Sequence, residues 1–239
     1  MNLVNLSHNL SDYEPEIQIA YLKDLARRRY TEDLYNLATG PLGYEQMTER
    51  THGPICDVLM DGSKKKLIVV PRGCFKSTIC SISYPIWLLI NNPNHRILLD
   101  SELFTNSSRL MREIKGHLES KVMTDLFGEF KGDTWNDTEI VIKQRTKIYK
   151  EGSITCSGVG AQKTGQHYTV IIADDLNSLD NSMSIEQREK IIDHYRLYIS
   201  LLDPGGTLVV VGTRYSQGDL IGYILDNEID SERKSGLVY

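Results

Sequence analysis

The segment that most constrains this chain is Lys66-Leu-Ile-Val-Val-Pro-Arg-Gly-Cys-Phe-Lys-Ser-Thr78. Leu67 to Val70 is a short apolar run of β type, Pro71 and Gly73 break it, and Lys76-Ser77-Thr78 leads into a helical pattern. Strand, tight loop and helix N-terminus, in that order, are the parts of a phosphate-binding P-loop. An opening helix offers unpaired N–H groups and partial positive charge, which hold phosphate. Lys76 would reach the β- and γ-phosphates of a nucleotide, the Ser77 hydroxyl would sit on Mg²⁺, and Gly73, Cys74, Phe75 and Thr78 complete the candidate cradle. The pattern G-x-x-x-x-G-K-[ST] is met only at Lys76-Ser77, because Val70 and Phe75 occupy its glycine positions. By itself the segment also reads as an ordinary strand–loop–helix with an exposed lysine.

A chain of 239 residues with 40% hydrophobic content suits one α/β domain, alone or with a small appendage. No apolar run approaches the ~20 residues of a membrane span, and Met1 to Leu10 lacks the basic-then-apolar order of a signal peptide. The four cysteines, at 56, 74, 80 and 156, form no C-x-x-C pair and read as free thiols of a reducing cytosol. The net charge of −5 excludes a protein that wraps nucleic acid with its whole surface. It leaves room for local contact at Arg27-Arg28-Arg29, at Lys64-Lys65-Lys66, or at Arg109, Arg112 and Lys115. Each of these clusters reads equally as a solvated charged face.

Ile17, Tyr21, Leu22 and Leu25 recur at helical spacing within 12–38 and predict an amphipathic helix. A second helix is expected over 45–60, with Ile55, Val58 and Leu59 on one face. These make residues 1–60 a helical preface to a domain over 61–239. Beyond the P-loop segment the pattern alternates. A helix covers about 77–91, a strand Arg96 to Leu99, and Asp100-Ser101-Glu102 looks like a helix cap. An irregular stretch follows over 125–137. Period-two runs at Glu139–Lys143, Lys147–Lys150 and Ser153–Ser157 predict a hairpin or small antiparallel edge. Thr169–Ala173 and Thr207–Val211 are apolar strands, the second preceded by a turn at Asp203-Pro-Gly-Gly206. Val/Ile strands flanked by helices mean a mainly parallel sheet covered on both faces, hence an α/β fold.

Two further strand ends carry chemistry. Val170-Ile-Ile-Ala-Asp174-Asp175 closes a buried strand with paired acids, the first suited to Mg²⁺ and the second to polarising water as a general base. Two acids at a strand end also serve simply as caps. Val211-Gly212-Thr213-Arg214 places Thr213 at the tip of the next strand, where ligands of open α/β sheets bind.

Together these features resemble the ATPase domain of the large terminase subunit, the DNA-packaging motor of tailed bacteriophages. The resemblance rests on Pro71-Arg-Gly-x-x-Lys-Ser-Thr78, Gly158-x-Gly-x-x-x-x-Gly165, His167-Tyr168, Ile171-Ile-Ala-Asp-Asp-Leu176, and Gly212-Thr-Arg-Tyr215 followed by Asp219-Leu220, and covers about 45–230. It implies a P-loop NTPase fold of the additional-strand, catalytic-acid type. It implies ATP and Mg²⁺ as cofactors, catalytic roles for Lys76, Asp175 and Arg72, nucleotide contacts from Arg72 to Thr78 and at Thr213, and metal ligation by Ser77 and Asp174. It also implies double-stranded DNA, a portal protein and a small terminase subunit as partners, a ring homo-oligomer, the host cytoplasm as location, and no membrane. A C-terminal nuclease belongs to the family and is not expected within these residues. The second acid is Asp175 where many relatives carry Glu. The family's arginine-finger position, just before Gly165, holds Thr164, which leaves Lys163, Arg145 and Arg214 as substitutes. Tyr44, Gln46 and His52 are adenine candidates by position. The remaining readings are a helicase- or recombinase-type P-loop ATPase and a nucleotide-binding module without turnover.

Overall fold

The computed structural model describes residues 13–163 and 165–228. Its strands are β1 (Lys65–Val69), β2 (Ile97–Ser101), β3 (Lys131–Trp135), β4 (Glu139–Ile142), β5 (Ile154–Gly158), β6 (Tyr168–Asp174) and β7 (Leu202–Gly212). Its helices are α1 (Pro15–Glu32), α2 (Leu34–Thr39), α3 (Glu49–Met60), α4 (Tyr84–Asn91), α5 (Phe104–Leu118), α6 (Lys121–Phe127), α7 (Leu179–Ser182), α8 (Ile185–Leu201) and α9 (Leu220–Asn227). The strands form one sheet in the order β1-β7-β6-β2-β5-β4-β3. The first five are parallel, and β4 and β3 extend the sheet as an antiparallel edge.

The parallel strands read as near-continuous Val/Ile runs because helices cover both faces. Ile68, Leu99, Ile172 and Val209 enter one buried cluster together with side chains of α2 to α6. Leu98, Ile171, Leu208 and Val210 enter a second, closed by Ile191, Tyr195 and Tyr198 of α8 and Leu220 and Ile224 of α9. Leu34, Leu37, Ile55 and Leu59 belong to the first cluster, so α2 and α3 share their core with the sheet.

The helix that leaves the candidate P-loop is continuous but not uniform. Thr78–Ser83 is π-helical and passes into α4, whose second residue is Pro85. Proline lacks an N–H and would press its ring on the carbonyl four residues back. The wider turn, in which the Tyr84 N–H bonds the Ile79 carbonyl, relieves that clash.

Several local expectations are revised. α1 forms but has no buried residue, and Leu22 and Leu25 are exposed. It lies outermost and is held by polar contacts, with Trp87 Nε1 donating to the Thr31 carbonyl at 2.9 Å and Arg27 donating to that of Leu126. The stretch read as irregular contains β3, which pairs closely with β4 because Gly132 has no Cβ; one there would lie 2.3 Å from the Val141 carbonyl oxygen. Lys147–Lys150 is not a strand. Asn94 Oδ1 accepts from the backbone N–H groups of Thr146 and Lys147, at 3.1 and 2.9 Å, and holds the segment in irregular form. β5 does pair antiparallel with β4, yet it also joins β2 in parallel, so it belongs to the main sheet. Asp100 and Ser101 are the end of β2, not a helix cap. Asp203 to Gly206 loop out within β7, between Leu202, which pairs with Tyr168, and Thr207, which pairs with Val170. Lys66 is no surface cation: it is buried, and its ammonium donates to the Val58 and Asp61 carbonyls at the end of α3.

All four cysteines are free. Among the described residues, no helix is long and apolar enough to cross a membrane.

Ile172 pairs with Leu99 on one side and Val209 on the other and is 0% exposed. Ile172→Ala is expected to cost ~2–5 kcal/mol, through lost burial and a residual cavity. Urea unfolding checks this, with a lower midpoint at unchanged slope.

Candidate active site

The site is set by two parallel ladders that share β7. Val69 of β1 is in register with Gly212, and Asp174 of β6 with Val211. The pairing continues past the strand ends. The Val70 N–H donates to the Gly212 carbonyl at 3.3 Å, the Asp175 N–H to that of Val211 at 2.9 Å, and the Thr213 hydroxyl to that of Val70 at 3.1 Å. The loop from β1, the acids from β6 and Thr213 from β7 therefore emerge side by side at the carboxyl end of the sheet, where open α/β sheets place ligands.

Side chains close the arrangement. Lys76 Nζ lies 2.9 Å from Asp175 Oδ2, and the Ser77 hydroxyl donates to Asp174 Oδ1 at 3.2 Å. Lys76 and Asp174 are buried, whereas the Asp175 side chain is 40% exposed. Asp175 Oδ1 is shut from solvent and meets no hydrogen-bond partner among the described residues.

Two non-glycine residues with positive φ bracket this group, Phe75 at 53° and Asp175 at 47°. The left-handed region costs an L-residue roughly 1–2 kcal/mol, least for Asp and Asn. Phe75 stands where the P-loop pattern has its second glycine, and its conformation is the one that glycine would supply without strain. In exchange its ring packs on the main core and meets His52 edge-on, with centroids 5.3 Å apart. Its carbonyl accepts the Ile79 N–H at 2.9 Å and so opens the helix. Gly73, at φ 81°, retains the glycine that the loop needs.

Asp174 has an unusual charge balance. Burial, and then the neighbouring Asp175 charge, push its carboxyl up to about 6, against the pull of the Ser77 hydrogen bond and the Lys76 charge. A buried carboxylate with too little positive charge nearby is suited to a cation. The Ser77 hydroxyl and the Asp174 carboxylate are hard oxygen donors of the kind Mg²⁺ prefers, and Mg²⁺ takes only one or two from protein. Among the described residues no group of three or more His, Cys, Asp or Glu could cage a metal by protein alone.

The other expected residues fall around this centre. Thr78 opens the π-helical turn and accepts the Ser83 hydroxyl at 2.9 Å, while Cys74 is half-buried in the loop. Arg72 stands exposed at the rim, bonded to the Tyr215 hydroxyl with its guanidinium 5.5 Å from that ring's centroid. His52 lies against Phe75 of the loop after β1, Gln46 is exposed, and Tyr44 is turned to α5, donating to Glu113 at 2.8 Å. Arg214 is exposed just past β7. Arg145 lies beyond β4, at the opposite end of the sheet. Thr164 falls outside the described residues.

Lys163 is engaged elsewhere, in a cluster the sequence reading missed. Asp100 is 0% exposed, and its Oδ2 accepts from Lys163 Nζ at 2.6 Å, His194 Nε2 at 2.8 Å and the Tyr198 hydroxyl at 2.9 Å. Burial opposes this charge, yet the His194 hydrogen bond and the Lys163 charge together hold the carboxyl below its ordinary range. The cluster ties the glycine-rich loop to α8 behind the sheet. Asp219, a residue of the last sequence motif, has a structural task as well. It is buried, caps α9 through the Gly222 N–H at 2.8 Å, and accepts the Tyr215 N–H at 2.8 Å, which fixes the loop that carries Thr213.

The Asp174 shift has a stability consequence. The folded carboxyl, at about 6 against the ordinary 3.8, binds its proton more tightly than the unfolded one. Stability from this group is therefore full below pH 4 and declines as pH rises to 6 and beyond, by about 3 kcal/mol. In metal-free buffer Asp174→Asn should leave stability nearly unchanged at pH 4.5 and raise it at pH 7.5 by ~1–3 kcal/mol, read from paired urea curves.

No protein-family model matches this chain, and no curated protein matches it.

Proposed function

We propose that this chain hydrolyses ATP as the motor domain of a DNA-packaging machine of the large-terminase kind. The observation that carries the hydrolase reading is the meeting of Lys76 and Ser77 with Asp174 and Asp175 at the carboxyl end of one parallel sheet. The strand order supports the additional-strand, catalytic-acid type of P-loop fold, because β7 separates the loop strand β1 from the acid strand β6.

Lys76 neutralises Asp175 at 2.9 Å. Phosphate oxygens entering the loop compete for that ammonium, and the exchange frees Asp175 to accept the proton of the attacking water. Asp175 is the more exposed of the two acids, as a group that meets water must be. Asp174 and Ser77 would hold Mg²⁺, which when bound supplies positive charge to the phosphates. Thr213, tied to the loop through the Val70 carbonyl, would respond to the terminal phosphate. With Lys163 occupied by Asp100, Arg72 and Arg214 remain as candidate cations at this end of the sheet, beside one from a neighbouring subunit. Use of the hydrolysis to move duplex DNA, and assembly as a ring with a portal protein and a small subunit in the host cytoplasm, rest on the order of the sequence motifs.

Phosphate release by the purified chain tests the reading. Lys76→Ala should lower turnover by ~10²–10³ and leave the fold intact. Asp174→Asn should weaken Mg²⁺-dependent binding of labelled nucleotide. Asp175→Asn should bind normally and not turn over, because an amide does not take the proton. Wild-type rates from Lys76→Ala reject the assignment, and tight binding with no turnover by the unaltered chain points to a nucleotide-sensing module.

A further inference from the structure

A groove of about 540 Å³ opens at the antiparallel edge, between the β3–β4 pair and the segment 145–149. Four cations line it, Lys131, Lys143, Arg145 and Lys147, against a single carboxylate, Asp133. That is a local excess of positive charge in a chain of net charge −5. Lys131 and Lys143 reach Glu119 and Glu129 at 2.8 and 2.6 Å, but these pairs are exposed and hold the lysines weakly.

Arg145 is the least satisfied of the four. Its guanidinium lies 4.9 Å from the Tyr149 ring centroid, with that of Arg96 at 4.3 Å from the same ring. Its Nε and Nη2 are shut from solvent and meet no acceptor among the described residues. Burial, and then the Arg96 charge, disfavour its protonated form. A second cation beside it, with Lys131, Lys143 and Lys147 exposed along the same groove, makes this a place that attracts an oxyanion. The wall is also preformed: Asn94 pins Thr146 and Lys147, and Arg96, paired with Asp203 and 3.6 Å from Glu151, holds Tyr149.

We infer that this groove binds the phosphate backbone of duplex nucleic acid. A concave basic channel suits a phosphodiester chain better than a flat bilayer surface. Readers of single strands stack bases on aromatic rings, whereas the ring in this groove, Tyr149, is already covered by two guanidinium groups. Contact is therefore with phosphates and independent of base sequence. The groove sits at the amino ends of the parallel strands, away from Lys76, Asp174 and Asp175 at the carboxyl ends, so its variants leave the hydrolytic machinery untouched. The inference rests on the reading above in one respect, that a duplex is the track such a motor needs.

The test is anisotropy of a labelled random-sequence duplex, titrated with the full chain from 50 to 200 mM salt. Basal ATP turnover and the urea midpoint are read on the same samples. The wild type should bind with a steep salt dependence. The variant K131A/K143A/K147A, altered only at exposed lysines, should lose about three from the slope of log K against log salt and weaken roughly tenfold or more, with turnover and midpoint unchanged. The variant K23A/K121A/K190A makes the same charge change at exposed positions elsewhere and should keep the wild-type slope. Equal losses in both variants, an unchanged slope in the first, or no duplex binding by the wild type would overturn the groove. So would lysine-dependent capture by phosphatidylserine vesicles in place of duplex. Duplex binding without ATP turnover would reject the motor reading and leave the groove standing; turnover without duplex binding would do the reverse.

Discussion

The ladder that β7 makes with β1 on one side and β6 on the other is the interaction the site depends on. Residues on β1 and β6 are distant in sequence, and no local force brings Lys76 to Asp175. The shared strand does so, because hydrogen bonding sets adjacent parallel strands about 4.8 Å apart and fixes their register. With Gly212 opposite Val69 and Val211 opposite Asp174, both chains leave the sheet at one level. A one-residue slip would turn every side chain of a strand to the other face. Asp174 would then point at α8 and away from Ser77.

Stability and function pull against each other at this point. Asp174 sits in apolar surroundings that disfavour its charge, and Asp175 adds a like charge beside it. Phe75 and Asp175 hold left-handed backbone conformations. Each feature costs the folded chain free energy, and strained backbone and shifted carboxyls are features that cluster at the functional sites of proteins. The surroundings bear the cost: Ile172, Val209 and the helices over them bury enough apolar surface to keep the acids where they are.

The buried Asp100 cluster shows a second use of charge inside the same domain. There the donors are supplied internally by Lys163, His194 and Tyr198, so the carboxylate is stabilised and needs no ligand. Asp100 and Asp174 end neighbouring strands, yet the alternation of side chains sends them to opposite faces of the sheet. One acid becomes a brace for the glycine-rich loop; the other is left short of positive charge.

Much of this was determined by sequence alone. The Val/Ile runs dictated a parallel core, and Lys76-Ser77, Asp174-Asp175 and Thr213 were identified as strand-end residues, because such signals are local: a run of apolar residues, a break, a polar residue at its end. Tertiary structure decided what is non-local. It placed β7 between β1 and β6, an order that chain sequence does not carry. It buried Lys66 under α3 and left Leu22 and Leu25 exposed, because propensity does not say which neighbour covers a face. It engaged Lys163 of the glycine-rich loop with Asp100 of β2, 63 residues away in the chain. It also gathered Lys131, Lys143, Arg145 and Lys147 into one groove, whereas the runs of consecutive basic residues that stood out in the sequence did not form it. Charge clusters in space are made by strand pairing and loop packing, and only the folded chain brings those residues together.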